Sequence, residues 1–385
     1  MRRAVERLGR SEGVVHIALM PDAHLAEHVC VGTVVATSDR LIPDAVGGDA
    51  GCGMAALRFD CDADRIDATV AARIFDELEA RVPILKHRAP QSWPDELATG
   101  ALEPSLARMA EREGRRQLGT LGRGNHFIEL QRDDHLGRSA PRRHPDTCER
   151  QQVSAYRHSA ALLDQGALWA MIHTGSRAMG GAIRERFLKR AQADRSGLRF
   201  LRADSDDGAA YLRAIEWARA YAAFSRRTIG DHVRAILQDV LGAEPDESSW
   251  IDVDHNHVRR ETHLSRELWV HRKGAMHAPA GALGIIPGSM GSASFHVEGR
   301  GLPEALASCS HGAGRAMSRT EARKQIGLAR LLRETRGVWI DRRVAAHLRE
   351  EAPSAYKDVG AVMRAQRELV RIVRRLSPVL VYKGT

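Results

Sequence analysis

The stretch ALWAMIHTGSR, residues 167–177, places an apolar run directly before a histidine, a glycine and an arginine. A short apolar run of this kind, closed by a glycine turn, predicts a buried strand. A rigid strand can aim the polar residues that follow it at a common point, so functional side chains are expected where the strand ends.

Other segments repeat this pattern of a short apolar run followed by a glycine-rich turn with His, Asp or Asn. They are VVHIALMPDAH (14–24), RLIPDAVGGDAGCG (40–53) and ALGIIPGSMGSAS (282–294). Helical spacing of apolar residues instead predicts helices over 64–85, 209–241 and 361–376, the last an amphipathic C-terminal helix. Residues 131–150 are polar, basic and aperiodic, which predicts an exposed loop.

No internal repeat or long linker divides the chain, and the motifs are scattered from residue 22 to residue 383. We therefore predict an α+β fold in which residues 1–385 form a single domain, with a central mixed β core, surrounding helices and a deep cleft.

The composition, with 43% hydrophobic and 5% aromatic residues, is typical of a soluble globular protein. Apolar runs do not approach the ~18 residues of a membrane span, and the N-terminus lacks a signal-peptide core, so a cytoplasmic protein without a membrane partner is expected. The formal charge of +9, in which arginine outnumbers lysine, is compatible with a polyanionic partner or simply with solubility. Five cysteines without a CxxC spacing predict neither disulfides nor a zinc ribbon.

Five residues in glycine-rich or strand-end settings offer potential metal ligands. Taken singly, a cysteine in a glycine turn or a histidine at a strand end is readily explained as a structural residue. Taken together, one Asp, one Cys and three His form a ligand set suited to manganese, zinc or iron. They are Asp49, Cys52, His126, His173 and His255. His257 is interpreted as a bystander.

Two further segments, PGSMGSAS (287–294) and HGAGR (311–315), have the small residues and hydroxyls of phosphate-binding loops. Neither contains the GxxxxGK[ST] or GxGxxG pattern, which makes an ordinary P-loop or dinucleotide-binding enzyme a poor fit. His311 lies at the head of the second loop. A neutral imidazole there is suited to attack on phosphorus.

These motifs resemble, in order, the signature blocks of the RtcB family of RNA ligases. The matching blocks are MPDAH, GGDAGCG, LGRGNHFIEL, IHTGSR, DHN, VHRKGA, IIPGSMGSAS, HGAGRAMSR, AYKDV and YKG. The resemblance implies a ligase that uses GTP and two manganese ions to join RNA 2′,3′-cyclic phosphate or 3′-phosphate ends to 5′-hydroxyl ends.

The resemblance also implies roles for individual residues. Asp49, Cys52, His126, His173 and His255 correspond to ligands of two manganese ions, with Cys52 bridging, and His311 to the histidine that takes GMP from GTP. The implied guanylate contacts are Asn125, Glu129, Asn256, Pro287, Gly288, Ser289, Met290, Ser294, Gly312, Ala313, Gly314 and Lys383. Candidate RNA contacts are Arg177, Arg272, Lys273 and Arg319.

Several segments depart from the family pattern. The chain has DAGC where the family usually has DINC, LAEHVCVGT replaces a glycine-rich loop after MPDAH, and the N-terminal segment looks shortened. These features resemble compact paralogues coupled to a release-factor-like partner, which predicts a narrower range of RNA substrates. Archease is the other partner that the resemblance implies.

Two alternative activities stay open at this point: a guanylyltransferase that caps 3′-phosphate ends without joining them, and a dimetal phosphoesterase. A scaffold that binds RNA without activity is a third alternative, which the intact set of ligand residues disfavours.

Overall fold

The computed structural model describes residues 1–134 and 166–384. Its strands are β1 (Val14–His24), β2 (Val31–Thr37), β3 (Arg40–Leu41), β4 (Gly53–Asp62), β5 (Phe127–Asp133), β6 (Ala167–Thr174), β7 (Gln192–Ala193), β8 (Arg199–Arg202), β9 (Pro245–Asp254), β10 (Asn256–His263), β11 (Arg266–Lys273), β12 (Ala275–His277), β13 (Leu283–Ile286), β14 (Ser294–Gly299), β15 (Ser308–Ser310), β16 (Trp339–Ile340) and β17 (Val370–Lys383).

The large sheet has the order β13-β14-β17-β5-β6-β4-β9, and each neighbouring pair is antiparallel. The short strand β16 adds to β17 in parallel. Every residue of β6 is buried, as its continuous apolar run predicts for a strand covered on both faces. A second sheet, of order β1-β2-β11-β10, carries the MPDAH segment at the end of β1.

The helices surround these sheets. They are α1 (Arg2–Gly9), α2 (Ala68–Arg81), α3 (Pro104–Met109), α4 (Arg115–Gln117), α5 (Ala178–Arg190), α6 (Asp206–Leu241), α7 (Arg319–Gln325), α8 (Leu328–Glu334), α9 (Ala345–Leu348) and α10 (Val359–Ala365). Among the described residues, no helix is both long and apolar enough to cross a membrane.

The longest helix, α6, has clear local start and stop signals. The Ser205 hydroxyl accepts the Gly208 N–H, and Gly242 adopts the left-handed conformation that favours glycine at a helix end. One face of α6 packs with α2 and strands β4 to β6 in the main hydrophobic core. Helix α6 therefore lies directly beneath the large sheet.

The predicted α+β class is confirmed. Helix α2 lies within the predicted range 64–85, and α6 covers the predicted range 209–241 but begins three residues earlier, at Asp206. The predicted helix over 361–376 is wrong in its second half. Helix α10 ends at Ala365, and residues from Val370 onward form β17, a strand in the middle of the large sheet. Pairing with β5 and β14 on both sides outweighs the helical spacing of the local sequence.

The predicted loop over 131–150 is also wrong at its start. Residues 131–133 complete β5, where Gln131 and Asp133 are buried. The part of this range from residue 135 onward lies outside the described residues.

Candidate metal and nucleotide site

Four strand ends meet at one edge of the large sheet. Because neighbouring strands run antiparallel, the starts of β4 and β5 lie beside the ends of β6 and β9. Cys52 directly precedes β4, and His126 directly precedes β5. His255 directly follows β9. His173 is the second-last residue of β6, where it pairs with Met54 on one side and Phe127 on the other. Residues distant in sequence thereby become neighbours.

The predicted metal ligands come together in two groups that share one sulfur. The first group contains Cys52, His173 and His255, the second contains Asp49, Cys52 and His126, and within each group the ligand atoms lie within 4.8 Å of one another. Cys52 Sγ lies 3.3 Å from His173 Nε2 and 3.5 Å from His126 Nε2. Such a pattern fits two metal ions bridged by a thiolate, which is the arrangement that the resemblance implies.

Burial keeps two of the imidazoles neutral. Desolvation lowers the pKa of His173 and of His255 well below the ordinary value, and neighbouring histidines lower it further. The Nδ1 of His173 lies 3.1 Å from the Asn125 carbonyl oxygen, which orients the ring so that Nε2 points to Cys52. A neutral, oriented imidazole is the form that binds a metal ion.

The pKa values of Asp49 and Cys52 are shifted in opposite directions. Burial and the neighbouring Asp49 carboxylate raise the pKa of the Cys52 thiol well above its ordinary value. Burial also tends to raise the pKa of Asp49, but the hydrogen bond to His126, 3.0 Å long, and its charge outweigh burial and lower it. A metal ion that binds here must therefore displace the thiol proton.

Arg226, on α6, fixes the turns that carry these ligands. Its side chain is buried, and one nitrogen donates both to the Gly51 carbonyl, at 2.8 Å, and to the Thr174 carbonyl, at 3.1 Å. Asp252 on β9 accepts from its Nε at 2.7 Å. One guanidinium thus joins the turn before Cys52, the turn after His173 and the strand before His255.

A pocket adjoins this ligand set. All but one of the predicted guanylate contacts line it: Asn125, Glu129, Pro287, Gly288, Ser289, Met290, Ser294, Gly312, Ala313, Gly314 and Lys383. Asn256 is the exception. Its amide instead joins the Asp49 carbonyl to the Gly274 N–H, at 3.0 and 2.7 Å, so its contact with guanylate stays a prediction.

The serine hydroxyls of the PGSMGSAS loop hold the loop itself. Ser294 Oγ accepts the Gly288 N–H at 3.1 Å, and Ser292 Oγ accepts the Ser289 N–H at 2.7 Å. The N–H groups of Gly288 and Ser289 are therefore already hydrogen-bonded within the loop. The second loop, HGAG, contributes residues 311–314 to the same pocket.

His311 lies between the pocket and the metal ligands. Its Nδ1 is 2.6 Å from the carboxylate of Asp22, which is fully buried, and its ring centroid is 4.9 Å from that of His255. The same carboxylate oxygen accepts the backbone N–H of His311 at 3.2 Å. Held in this way, the ring has Nε2 left for chemistry.

Glu129, which lines the pocket, is buried. Burial raises the pKa of Glu129 to about 8, although a hydrogen bond from Gln131 and the Lys383 charge act in the opposite direction. Lys383 itself donates to Glu351 at 2.7 Å. The pocket therefore contains one carboxyl group that is mostly protonated at neutral pH and one that is ion-paired.

Three of the candidate RNA contacts lie near the site. The half-buried guanidinium of Arg177 is held by Thr120 and the Ile84 carbonyl, at 3.3 and 3.1 Å. Lys273 donates to the Val29 carbonyl at 2.8 Å. Arg319 bonds to the side chains of Asn125 and Glu350. Whether any of them contacts RNA stays a prediction.

The prediction for Arg272 is wrong, because this side chain is fully buried and saturated. It pairs with both carboxylate oxygens of Glu261 and also donates to Ser308 Oγ and the Leu306 carbonyl, each at 2.9 Å. Arg272 is therefore part of the packing between β10, β11 and β15.

Sequence reasoning missed several residues of the site. Asp22 holds the ring of His311. The pocket is also lined by His24, Phe127, Glu351 and Tyr356. Arg226 bonds to the turns next to Cys52 and His173. Asp22 lies in the MPDAH block, near the end of a predicted strand, so the sequence pattern could have identified it as a candidate site residue. Arg226 lies within a long helix, where the sequence gives no sign that its charge is buried.

Two potential metal positions, an oriented histidine and a pocket lined by two glycine-rich loops together define a site suited to metal-assisted transfer of a phosphate-linked group. Comparison with known proteins agrees with this class. The family model described as "tRNA-splicing ligase RtcB" matches residues 4–384, so the chain belongs to the RtcB family.

Individual relatives support the same assignment. The chain is 35% identical to "RNA-splicing ligase RtcB" of Escherichia coli strain K12, over 96% of this chain and 90% of the relative. It is 32% identical to "RNA-splicing ligase RtcB2" of another Escherichia coli strain, over 95% and 87%. It is 29% identical to "tRNA-splicing ligase RtcB" of Nanoarchaeum equitans, over 96% and 88%.

Gly175 tests how closely Asp49 is packed. A β-carbon at this position would lie 2.3 Å from Asp49 Oδ1, whereas one at Gly181 meets only the Gly48 carbonyl at 3.9 Å. We expect Gly175→Ala to displace the carboxylate and weaken Mn²⁺ binding at least about tenfold, and Gly181→Ala to leave it unchanged. Isothermal titration with Mn²⁺ measures both, and equal affinities would contradict the packing argument.

Arg226 offers a second test. We expect Arg226→Met to lower Mn²⁺ affinity about 10- to 100-fold, because the turns carrying Cys52 and His173 lose their common donor. Arg219→Met is the matched control, since Arg219 is also on α6 but pairs with Asp254 and Glu216. The Mn²⁺ electron paramagnetic resonance spectrum should change only in the first variant. A general loss of stability would lower both melting temperatures without this spectral difference.

Proposed function

We propose that this protein is a GTP- and manganese-dependent RNA ligase that joins 2′,3′-cyclic phosphate or 3′-phosphate ends to 5′-hydroxyl ends. The observation that carries the proposal is the position of His311, held by Asp22 beside both the ligand set and the pocket. Membership of the RtcB family supports the same chemistry.

His311 is the proposed nucleophile. The Asp22 carboxylate accepts the Nδ1 proton, so the lone pair is on Nε2. Nε2 attacks the α-phosphorus of GTP, a nitrogen–phosphorus bond forms, and pyrophosphate leaves with the electrons of the broken phosphorus–oxygen bond. The buried Asp22 carboxylate stabilises the positive charge that develops on the ring. Asp22 would thus both orient the His311 ring and stabilise its positive charge.

The second and third steps use the same pocket. An oxygen of the RNA 3′-phosphate displaces His311 from the guanylate phosphorus, which frees the imidazole and turns GMP into a leaving group. The RNA 5′-hydroxyl then attacks the 3′-phosphorus, loses its proton, and GMP departs. A 2′,3′-cyclic end first takes up water to become a 3′-phosphate.

Manganese ions held by Asp49, Cys52, His126, His173 and His255 would supply positive charge near the phosphate groups during these steps. Glu129 would recognise the base, because a carboxylate accepts both the ring N–H and the amino group of guanine. Lys383 and the loops 287–290 and 311–314 complete the proposed guanylate contacts. Arg177, Lys273 and Arg319 remain candidate RNA contacts.

Transfer of label from GTP tests the nucleophile. With Mn²⁺ and GTP labelled at the α-phosphate, we expect label to stay on the denatured wild-type protein and to be absent from His311→Ala. Asp22→Asn should slow labelling about 100-fold or more, because the amide cannot hold Nδ1–H and stabilise charge in the same way. Label on His311→Ala would place the nucleophile elsewhere, and no label on manganese-loaded wild type would contradict the proposal.

The size of the RNA product separates joining from capping. A labelled RNA 3′-phosphate incubated with a 5′-hydroxyl RNA should become longer by the length of the second strand. An increase of a single guanylate would indicate a capping guanylyltransferase, and loss of phosphate would indicate a phosphoesterase.

Proton release on nucleotide binding tests Glu129. Its pKa is about 8 in the free protein. Guanine donors favour the ionised carboxylate and lower that pKa, so below pH 8 binding releases a proton. We expect GMP affinity to rise with pH by up to about tenfold per unit and to level off near pH 8. Titration calorimetry in buffers of different ionisation enthalpy measures the proton.

The control variants separate this effect from other losses of affinity. Glu129→Gln should bind GMP more weakly and lose the pH dependence. Glu351→Gln should retain it, because the nearby Lys383 and Arg319 charges outweigh burial and hold the pKa of Glu351 below its ordinary value. A pH slope that survives in Glu129→Gln would assign the proton to another group.

A further inference from the structure

The N-terminal helix presents a row of arginines that the proposed chemistry does not use. Arg3, Arg7 and Arg10 are spaced by four and three residues, which places them on one side of α1 over about 10 Å of its length. Arg195, in the turn between β7 and β8, lines the same surface groove. We call these four residues the N-terminal arginine patch.

The opposite side of α1 fixes the patch on the protein. Leu8 is buried in a cluster with Val29, Val35, Ile42 and Phe200. The apolar face of the helix is therefore occupied by the protein's own core. It cannot insert into a lipid surface, as an interfacial amphipathic helix must.

The carboxylates nearest the patch pair with other residues. Glu6 pairs with Arg2 at 2.9 Å, and Glu12 pairs with Arg40 at 2.8 Å. Asp194 accepts hydrogen bonds from Ser11 and Ser196. Within residues 1–134 and 166–384, no carboxylate lies within 4.0 Å of the guanidinium groups of the patch. The groove also contains Glu6 and Ser196, so its lining has four arginines and one carboxylate, and Arg3, Arg10 and Arg195 are exposed.

A continuous path of contacts leads from the patch to His311. Arg7 donates to the His28 carbonyl at 2.6 Å, and Lys273 donates to the adjacent Val29 carbonyl at 2.8 Å. Gly274, next in sequence, lies against His311, since a β-carbon there would be 3.1 Å from the ring. Arg7 and Lys273 therefore bond to adjacent carbonyls of the segment between β1 and β2, and Lys273 precedes the glycine that lies against His311.

We propose that the N-terminal arginine patch binds the sugar–phosphate backbone of the RNA substrate at a distance from the ends being joined; this proposal rests on the proposed RNA ligase function. Arginine forks match phosphate oxygens. An acidic protein partner is disfavoured because the groove offers no apolar or aromatic anchor of the kind that dominates protein interfaces. Backbone contacts of this kind position a nucleic acid without reading its sequence.

The test removes three exposed charges together. The patch variant combines Arg3→Gln, Arg10→Gln and Arg195→Gln. Arg7 is left unchanged because it donates to the His28 carbonyl. The matched control combines Arg112→Gln, Arg364→Gln and Arg367→Gln, which removes the same charge from exposed arginines that are paired with Glu113, Asp358 and Glu368. Binding of a tRNA-length 3′-phosphate RNA and of a 3′-phosphate RNA a few nucleotides long is measured at several salt concentrations.

We expect the patch variant to bind the long RNA at least about tenfold more weakly, with a salt dependence reduced by about two units in the logarithmic slope. The short RNA should bind as it does to wild type, and the control variant should resemble wild type with both RNAs. An unchanged long-RNA affinity, or an equal loss in the control variant, would overturn the proposal. An equal loss with the short RNA would place the effect at the reacting ends and would also overturn it.

Labelling of His311 by GTP keeps this test distinct from that of the ligase function. The patch lies outside the nucleotide pocket, so the patch variant should be labelled as fast as wild type. Absence of label on wild type would count against the ligase function, while the RNA-binding comparison would still decide whether the patch binds RNA.

Discussion

The antiparallel register of four strands, β9, β4, β6 and β5, is the constraint on which the site depends. Only in this register do Cys52, His126, His173 and His255 meet at one edge of the sheet. A shift of one residue in any of these pairings would turn the strand's side chains to the opposite face. The apolar interior of the sheet, which determines the register, therefore also determines where the candidate metal ligands lie.

The same edge concentrates polar groups that are costly to bury. Three of them have partners that limit the cost: the Asn125 carbonyl for His173, the His311 ring for Asp22, and two backbone carbonyls with Asp252 for Arg226. Buried polar networks of this kind hold their members in a single geometry when their bonds are satisfied. Rigid positioning of the ligands is thus a result of the folding of the sheet and α6.

Much of this arrangement could be predicted from local sequence. Apolar runs that end in glycine-rich turns correctly indicated where β1, β3, β6 and β13 lie. The pattern could not indicate which strands are neighbours, because pairing is decided by contacts between distant segments. The C-terminal strand illustrates this limit, since the spacing over 361–376 suits a helix and only β5 and β14 make it a strand.

Residues whose environment is set by distant groups were the hardest to interpret. Arg272 has the sequence context of a surface arginine beside Lys273, yet Glu261 on the neighbouring strand pairs with it in the interior. Arg226 follows a helical pattern that gives no reason to expect a link to Gly51 and Thr174. In both cases the residues that pair with the arginine are distant in sequence, so the local sequence does not indicate that its charge is buried.

The position of β17 has a consequence for how the protein folds. This strand pairs with β5, from which residues 134–369 separate it along the chain, and it lies inside the sheet. Closing so long a loop before the pairing can form makes a late step in folding slow. The candidate metal ligands all precede residue 256, whereas His311 and Lys383 follow it. An intermediate in which β4, β5, β6 and β9 have paired can therefore hold the ligand set together while the edge of β5 is still open and the nucleotide pocket is not yet built.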